Sequence, residues 1–390
     1  MPKVRSNPNW GDIQSQTIDL LRFPLIIAII FIHSKHVPTK IDYVNWNGFS
    51  GIDIYNLIRY TCSYVIADLA VPTFFAISGF LFFRNFQKWD IHLYKTKIIS
   101  RLKSLAIPYF LWNIILLTLL MAGIIYGAHS SQLNIWQKIV EFFNQNGWMN
   151  IFWSCSKWNP DYIAWLNVTG YSTGPIDVPL WFLRDLIVLS ILTPLLFIII
   201  KKVGLYFILL LGFLFIADIF PEIPGLTMAS VFFFSAGAYF AIKGRNMVSS
   251  IYSIRNPVLG ITTILFVLDI IIMSTKSFSD TSYAEYHHSI YVIFGMMSLF
   301  IIGAKLIQGN KFSVNHNISK GSFFVFLSHN IVILPLSTII ITSIIPWVHP
   351  WALTLQYLLI PILTASISLV IYFIMLRFTP KFLAILTGSR

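Results

Sequence analysis

Charge is scarce in this sequence. Asp, Glu, Lys and Arg make up 11% of its 390 residues, where soluble domains carry about 25%. Cysteine is scarcer still. Cys62 and Cys155 are the two present, and with no C-x-x-C or Cys/His cluster they exclude a disulfide scaffold and give no metal or redox motif. No H-x4-D or H-E-x-x-H occurs, so those soluble acyltransferase and zinc-protease signatures are missing. Internal repeats and low-complexity tracts are also absent. Residues 1–17 are polar and no small-residue cleavage site follows the first apolar run, so no secretory signal is expected.

Apolar surface is what the chain has in excess. Hydrophobic residues reach 56% and mean hydropathy is +0.74. A soluble domain of this length has too much surface relative to its volume to hide that much. A soluble enzyme and a disordered chain are thereby excluded, and a polytopic membrane protein remains. The net charge of +12 resembles a nucleic-acid footprint, but its distribution is that of a topology signal.

Ten apolar runs approach the roughly 20 residues a bilayer crossing needs. They centre on 18–37, 62–83, 104–126, 179–200, 204–220, 225–242, 257–274, 288–307, 322–345 and 351–376. The runs are continuous rather than alternating, which predicts helices rather than strands. With the N-terminus inside, nineteen Lys and Arg fall in inner segments and six in outer ones, with Arg22 and Arg184 at membrane depth. The expectation is an all-α polytopic bundle of about ten transmembrane helices in a plasma (bacterial inner) membrane, with both termini cytoplasmic, formed by one integral membrane domain over 1–390. On the outer side, 127–178 is too long for a turn. It carries Trp136, Trp148, Trp153, Trp158 and Trp165, too much tryptophan for a disordered loop. Both cysteines are expected on the outer side, where a disulfide and two free thiols are both open.

An ionisable residue inside a span is costly and is by default a functional candidate. The first run holds Asp19, Arg22, His33 and His36. Arg22 and His33 are eleven residues apart, close to three full turns, so they share one helix face about 16 Å apart. Asp19 lies one turn before Arg22 and can pair with it. Arg22 at the inner face can grip a cytoplasmic anionic donor, and a neutral His33 farther up can act as general base on an acceptor hydroxyl. Either residue alone reads more simply as snorkelling to headgroups. The pair on one face, beside Asp19, favours the functional reading.

Arg22, ten intervening residues and His33 resemble the R-x10-H signature of the family-three membrane acyltransferases. Other stretches agree in order: Ile18-Asp19-Leu20-Leu21-Arg22, Val71 through Phe80, Arg101 followed by Ile107-Pro108-Tyr109, Pro179 through Arg184, and Ser322-Phe323 through Leu327-Ser328-His329. The resemblance covers nearly the whole chain. It implies O-acyl transfer, usually of acetyl, from cytoplasmic acyl-CoA to a hydroxyl of a cell-surface or lipid-linked glycan, with acetyl-CoA as donor and no metal.

The matching positions also have physical readings. Ser78, beside Gly79, can donate to a developing oxyanion or serve helix packing. Asp68 can orient His33 or be an interfacial acid. Arg84 and Arg101 are the better placed of the inner-loop cations for the phosphates of coenzyme A. Trp181 and Arg184 open the fourth span, where acceptor contact is open but an Arg184–Asp185 structural pair is the default. His329 can line the reaction cavity or pack through a hydrogen bond. Trp153 and Trp158 can stack on sugar rings, whereas Trp347 and Trp351 read as interfacial anchors. Two other functions fit: a transporter or flippase of a lipid-linked sugar, and a lipid- or protein-directed membrane acyltransferase in which His329 is catalytic.

Overall fold

The computed structural model describes residues 9–35, 42–86, 88–155, 174–309 and 315–389. Expectations on His36, Trp158 and Trp165 lie outside the described residues. Ten helices occupy the ten expected runs: α1 (Trp10–His33), α2 (Gly51–Phe83), α3 (Ile91–Ser130), α4 (Val178–Lys202), α5 (Leu205–Ala217), α6 (Met228–Ile242), α7 (Arg255–Ser274), α8 (Ser282–Gln308), α9 (His316–Ile344) and α10 (Pro350–Phe378). No β-strand forms among the described residues. This is the all-α polytopic arrangement that lipid demands, because a helix satisfies its own backbone. Eight of the ten are long and apolar enough to cross a membrane, while α5 and α6 have 13 and 15 residues.

Capping residues set where the helices begin. Asn9, Asp90 and Asn315 side chains accept from backbone N–H groups in the first turns of α1, α3 and α9, satisfying donors that a helix start leaves orphaned. Helix α2 starts eleven residues before its apolar run because Ser50 and Asp53 form a capping box. Its extension buries Arg59, whose guanidinium lies 4.8 Å from the Tyr55 ring centre and 5.6 Å from that of Tyr357 on α10. Helix α3 runs through the basic stretch 95–103 before its apolar part begins.

The bundle has a basic end and an aromatic end. At the basic end, Asn246 Nδ2 donates to the Trp10 carbonyl at 2.8 Å and Lys243 Nζ to that of Lys201 at 3.4 Å. A C-terminal helix, Pro380–Leu386, turns back onto α3, where Trp112 Nε1 donates to the Leu386 carbonyl at 3.1 Å. At the aromatic end, Trp46 Nε1 donates to Thr275 Oγ1 at 2.8 Å and Tyr43 to Asp280 at 3.1 Å. Trp347 and Trp351 are exposed there. The long connection from α3 to α4 contains helices Ile135–Asn146 and Trp148–Phe152. Its last part turns into the bundle, where Ile176 N–H donates to Ile151 O at 2.9 Å and Asp177 N–H to Asn113 Oδ1 of α3 at 3.1 Å. Cys62 and Cys155 are both free thiols.

Two helices are irregular. Within α2, a π-turn at Thr61–Ile66 is followed by a 3-10 turn at Ala67–Leu69, and α9 has a π-turn at His329–Ile333. Such single widened turns are frequent at functional sites.

Helices α2 and α6 cross in backbone contact. A Cβ on Gly79 would lie 2.0 Å from Phe234 O, and one on Gly237 would lie 1.9 Å from Ala76 O. The Ser78–Gly79 pair therefore does contribute to helix packing through Gly79. Neither carbonyl belongs to a flexible side chain, so a methyl group there must separate the helices. Gly79→Ala and Gly237→Ala should each destabilise the protein by at least the ~1–3 kcal/mol typical of overpacking. The check is the monodisperse yield and thermal midpoint in detergent, compared with Gly260→Ala, where the added Cβ meets nothing within 4 Å.

Candidate active site

A cavity of about 710 Å³ opens at the basic end. Its mouth collects Arg22 from α1, Arg101 and Lys103 from α3 and Lys320 from α9, and among the described residues no Asp or Glu lines it. Arg22 is oriented by Asp19, Nη1 to Oδ1 2.9 Å, as the one-turn spacing leads one to expect. Arg101 Nη2 reaches the Ser78 carbonyl at 3.5 Å. Deeper in, the lining becomes apolar: Ile26, Ile29, Phe74, Ile77, Phe182 and Phe326. Arg22, Ile26, Ile29 and His33 follow one another at steps of four, three and four along α1, which is one face of a helix.

Phe182 of α4 and Phe326 of α9 meet edge to face, with centroids 5.9 Å apart, and wall off the apolar end. The next turn of α9 carries His329, fully buried, whose Nδ1 lies 2.7 Å from the Phe326 carbonyl. A carbonyl only accepts, so Nδ1 carries the proton, and in the neutral ring Nε2 keeps its lone pair. That Nε2 is buried and has no hydrogen-bond partner. The His33 ring lies 5.3 Å from it, centroid to centroid. Two imidazoles from distant parts of the sequence are thus brought together, one turn beyond the wall of the cationic cavity.

The other expected site residues are distributed as follows. Ser78 lines the cavity. Arg84 lines a smaller cleft of about 160 Å³ that also contains Asp19 and Arg22. Asp68 meets His288 rather than His33, Oδ2 to Nε2 3.2 Å, while His288 Nδ1 and His287 Nδ1 meet Asp269 at 2.8 and 3.0 Å. The widened turn of α2 just before Asp68 shifts the phase that a regular helix predicts. Trp181 packs on Phe75, centroids 6.0 Å apart. Arg184 is buried and pairs with Asp185 at 2.9 Å. It also donates to the Trp153 carbonyl, and its guanidinium lies 5.5 Å from the Trp153 ring centre. Asp185 in turn accepts from Thr227 Oγ1 at 2.9 Å, at the start of α6. Arg184 and Trp153 thus tie the α3–α4 connection to α4 and α6. Trp158 lies outside the described residues.

Sequence reasoning missed Asp177. Its carboxylate is 1% exposed, and neither oxygen accepts a hydrogen bond within bonding geometry among the described residues. Burial pushes this carboxyl up to about 7, opposed by the Asn330 amide. Asn330 follows His329 in the α9 π-turn. The sequence signal, one acid between prolines at 175 and 179, is too slight to single out. Lys103 was legible as one of the inner-loop cations and Lys320 only as a topology charge.

Residues 15–373 match the family described as Acyltransferase domain. The chain belongs to that family. It is also similar to the succinoglycan biosynthesis protein ExoH of Rhizobium meliloti (strain 1021), 24% identical over 384 residues, covering 96% of this chain and 92% of that protein. No solved structure matches. With its apolar helices, the chain is a multi-pass membrane acyltransferase.

An acid whose carboxyl is raised in the folded state is favoured there in its protonated form. The native state therefore loses stability as pH rises from the ordinary carboxyl range towards about 7. Asp177→Asn removes that loss. It should raise the thermal midpoint in detergent at pH 8, by the equivalent of a few kcal/mol at most, with little change at pH 4. Differential scanning fluorimetry at the two pH values checks it.

Proposed function

We propose that this protein transfers an acyl group, most simply acetyl, from cytoplasmic acyl-CoA to a hydroxyl of a cell-surface or lipid-linked glycan. The observation that carries this reading is the cavity with four cations, no carboxylate and an apolar far end beside an imidazole pair. A polyanionic head on a long neutral arm fits that polarity: phosphates at the mouth, thioester at the aromatic wall. The basic end is then cytoplasmic, with both termini on that side, in keeping with the positive-inside bias. The name of the similar protein, which refers to succinoglycan biosynthesis, supports a glycan acceptor.

In the mechanism we favour, Arg22 and Arg101 hold the phosphates as charge-assisted partners, joined by Lys103 and Lys320, with Arg84 at the adjoining cleft. The arm runs along the Ile26–Ile29 face of α1. His33 takes the proton of the acceptor hydroxyl, the oxygen attacks the thioester carbonyl, and the carbon–sulfur bond breaks. The thiolate leaves with the proton returned from the imidazolium. Ser78 lines the same cavity, and in this reading its hydroxyl is the donor to the developing oxyanion. His329 is the neighbouring imidazole, so the His33 and His329 mechanisms become two assignments within one site.

Membranes containing the wild-type protein should move label from [acetyl-14C]acetyl-CoA into glycan. His33→Ala should lower the rate by about 10²–10⁴, the usual contribution of a general base, with unchanged membrane yield. Equal rates in His33→Ala and wild type would reject His33 as the base, and loss confined to His329→Ala would transfer that role. Arg22→Ala should raise the KM for acetyl-CoA about tenfold or more, since a hydrogen bond to a charged group contributes roughly 1.5–3 kcal/mol. An unchanged KM would make Arg22 purely structural.

A further inference from the structure

Beside His329, beyond the cavity, lie two polar side chains with no role yet in the transfer, Asp177 and Asn330. On α9, Asn330 stands four residues after Phe326, in the widened turn, and farther from the basic end. As Phe326 faces Phe182 of α4, Asn330 faces Asp177, which directly precedes α4. His329, beside Asn330, holds the unpartnered Nε2. Within one turn of α9 and the bend that leads into α4, three buried atoms have no hydrogen-bond partner among the described residues: His329 Nε2 and both oxygens of Asp177.

Burying an unpaired carboxylate costs several kcal/mol, and nothing about Asp177 looks accidental or mobile. Its own N–H is fixed by Asn113 Oδ1 at 3.1 Å, the preceding residue Ile176 is fixed by Ile151 O at 2.9 Å, and Cys155 N–H donates to Gly174 O at 2.7 Å. The chain holds a carboxyl rigidly where, among the described residues, the Asn330 amide is the donor brought near it. Two carboxylate oxygens side by side match two hydroxyls on neighbouring ring carbons, and an adjacent amide offers a donor to a ring or hydroxyl oxygen.

We infer that Asp177 and Asn330 form the acceptor subsite, in which the carboxylate receives two neighbouring hydroxyls of a sugar ring and so presents another hydroxyl to the imidazole pair. The inference rests on the glycan reading above and deepens it. The sugar enters from the aromatic end, opposite the donor, and the Phe182–Phe326 wall separates the two until the thioester reaches it. Asp177 touches substrate without taking part in proton transfer, so its loss weakens acceptor binding and leaves donor binding alone.

The test uses the full-length protein in detergent with two substrates: acetyl-CoA and oligosaccharides released from the producing cell's own surface polysaccharide. Asp177→Asn, nearly the same shape, should raise the acceptor KM about tenfold or more, and Asn330→Ala should raise it by a smaller factor. The KM for acetyl-CoA should stay within twofold. Equilibrium binding of the same oligosaccharides, measured without acetyl-CoA, should weaken about tenfold in Asp177→Asn. Permethylated oligosaccharides, whose hydroxyls are blocked, should bind wild type and variant equally poorly. An unchanged acceptor KM and unchanged oligosaccharide binding in Asp177→Asn would overturn the subsite. So would a variant whose donor KM rises as much as its acceptor KM. If wild type transfers nothing from acetyl-CoA yet binds the oligosaccharide through Asp177, the donor assignment fails and the subsite stands.

Discussion

The contact of α2 with α6 at Gly79 and Gly237 is the constraint on which the rest of the bundle depends. With no side chain between them, the two backbones touch, and α2 has no freedom to slide. That registers Phe74, Ile77 and Ser78 along one wall of the cavity and sets Asp68 against His288 on α8. The π-turn and 3-10 turn above the crossing absorb the mismatch between a helix pinned at one end and a partner network fixed at the other. In lipid, where helix association gains little from the hydrophobic effect, such close approach is the main source of specificity.

The cavity divides by polarity along its length. Cations cluster at the mouth, where water and counterions soften their repulsion, and aliphatic and aromatic side chains follow. The imidazoles lie last, one turn of α9 beyond Phe326. The gradient follows from α1 and α9 running side by side, since each carries a cation near the basic end and a histidine toward the other, Arg22 with His33 and Lys320 with His329. Two helices of unrelated sequence thus share one design.

Hydropathy made all ten helices legible, because a run of apolar residues of sufficient length has few other fates. The polar extensions of α2 and α3 were not legible. Arg59 and the basic stretch of α3 lower the local hydropathy, and the tyrosine rings that cover Arg59 come from the fold. The α1 stripe was legible because it needs only helical periodicity, and its pairing with Asp19 followed from spacing alone. The partner of His33 was not, since His329 is almost three hundred residues away and sits in a π-turn that no periodicity encodes. Of the two readings open for Asp68, orienting His33 or an interfacial acid, neither pointed to His288, which its carboxylate meets at 3.2 Å beyond the widened turn of α2. Asp177 gave no signal, because what distinguishes it is the lack of a partner, a property of the folded chain.

The edge-to-face contact of Phe182 with Phe326 has a consequence for the membrane itself. A polypeptide with openings toward both compartments threatens to short-circuit the electrochemical gradient, since a continuous file of water would carry protons across. Two aromatic rings in contact offer such a file no polar partner over that stretch. The same wall against which a reactant comes to rest also works as electrical insulation.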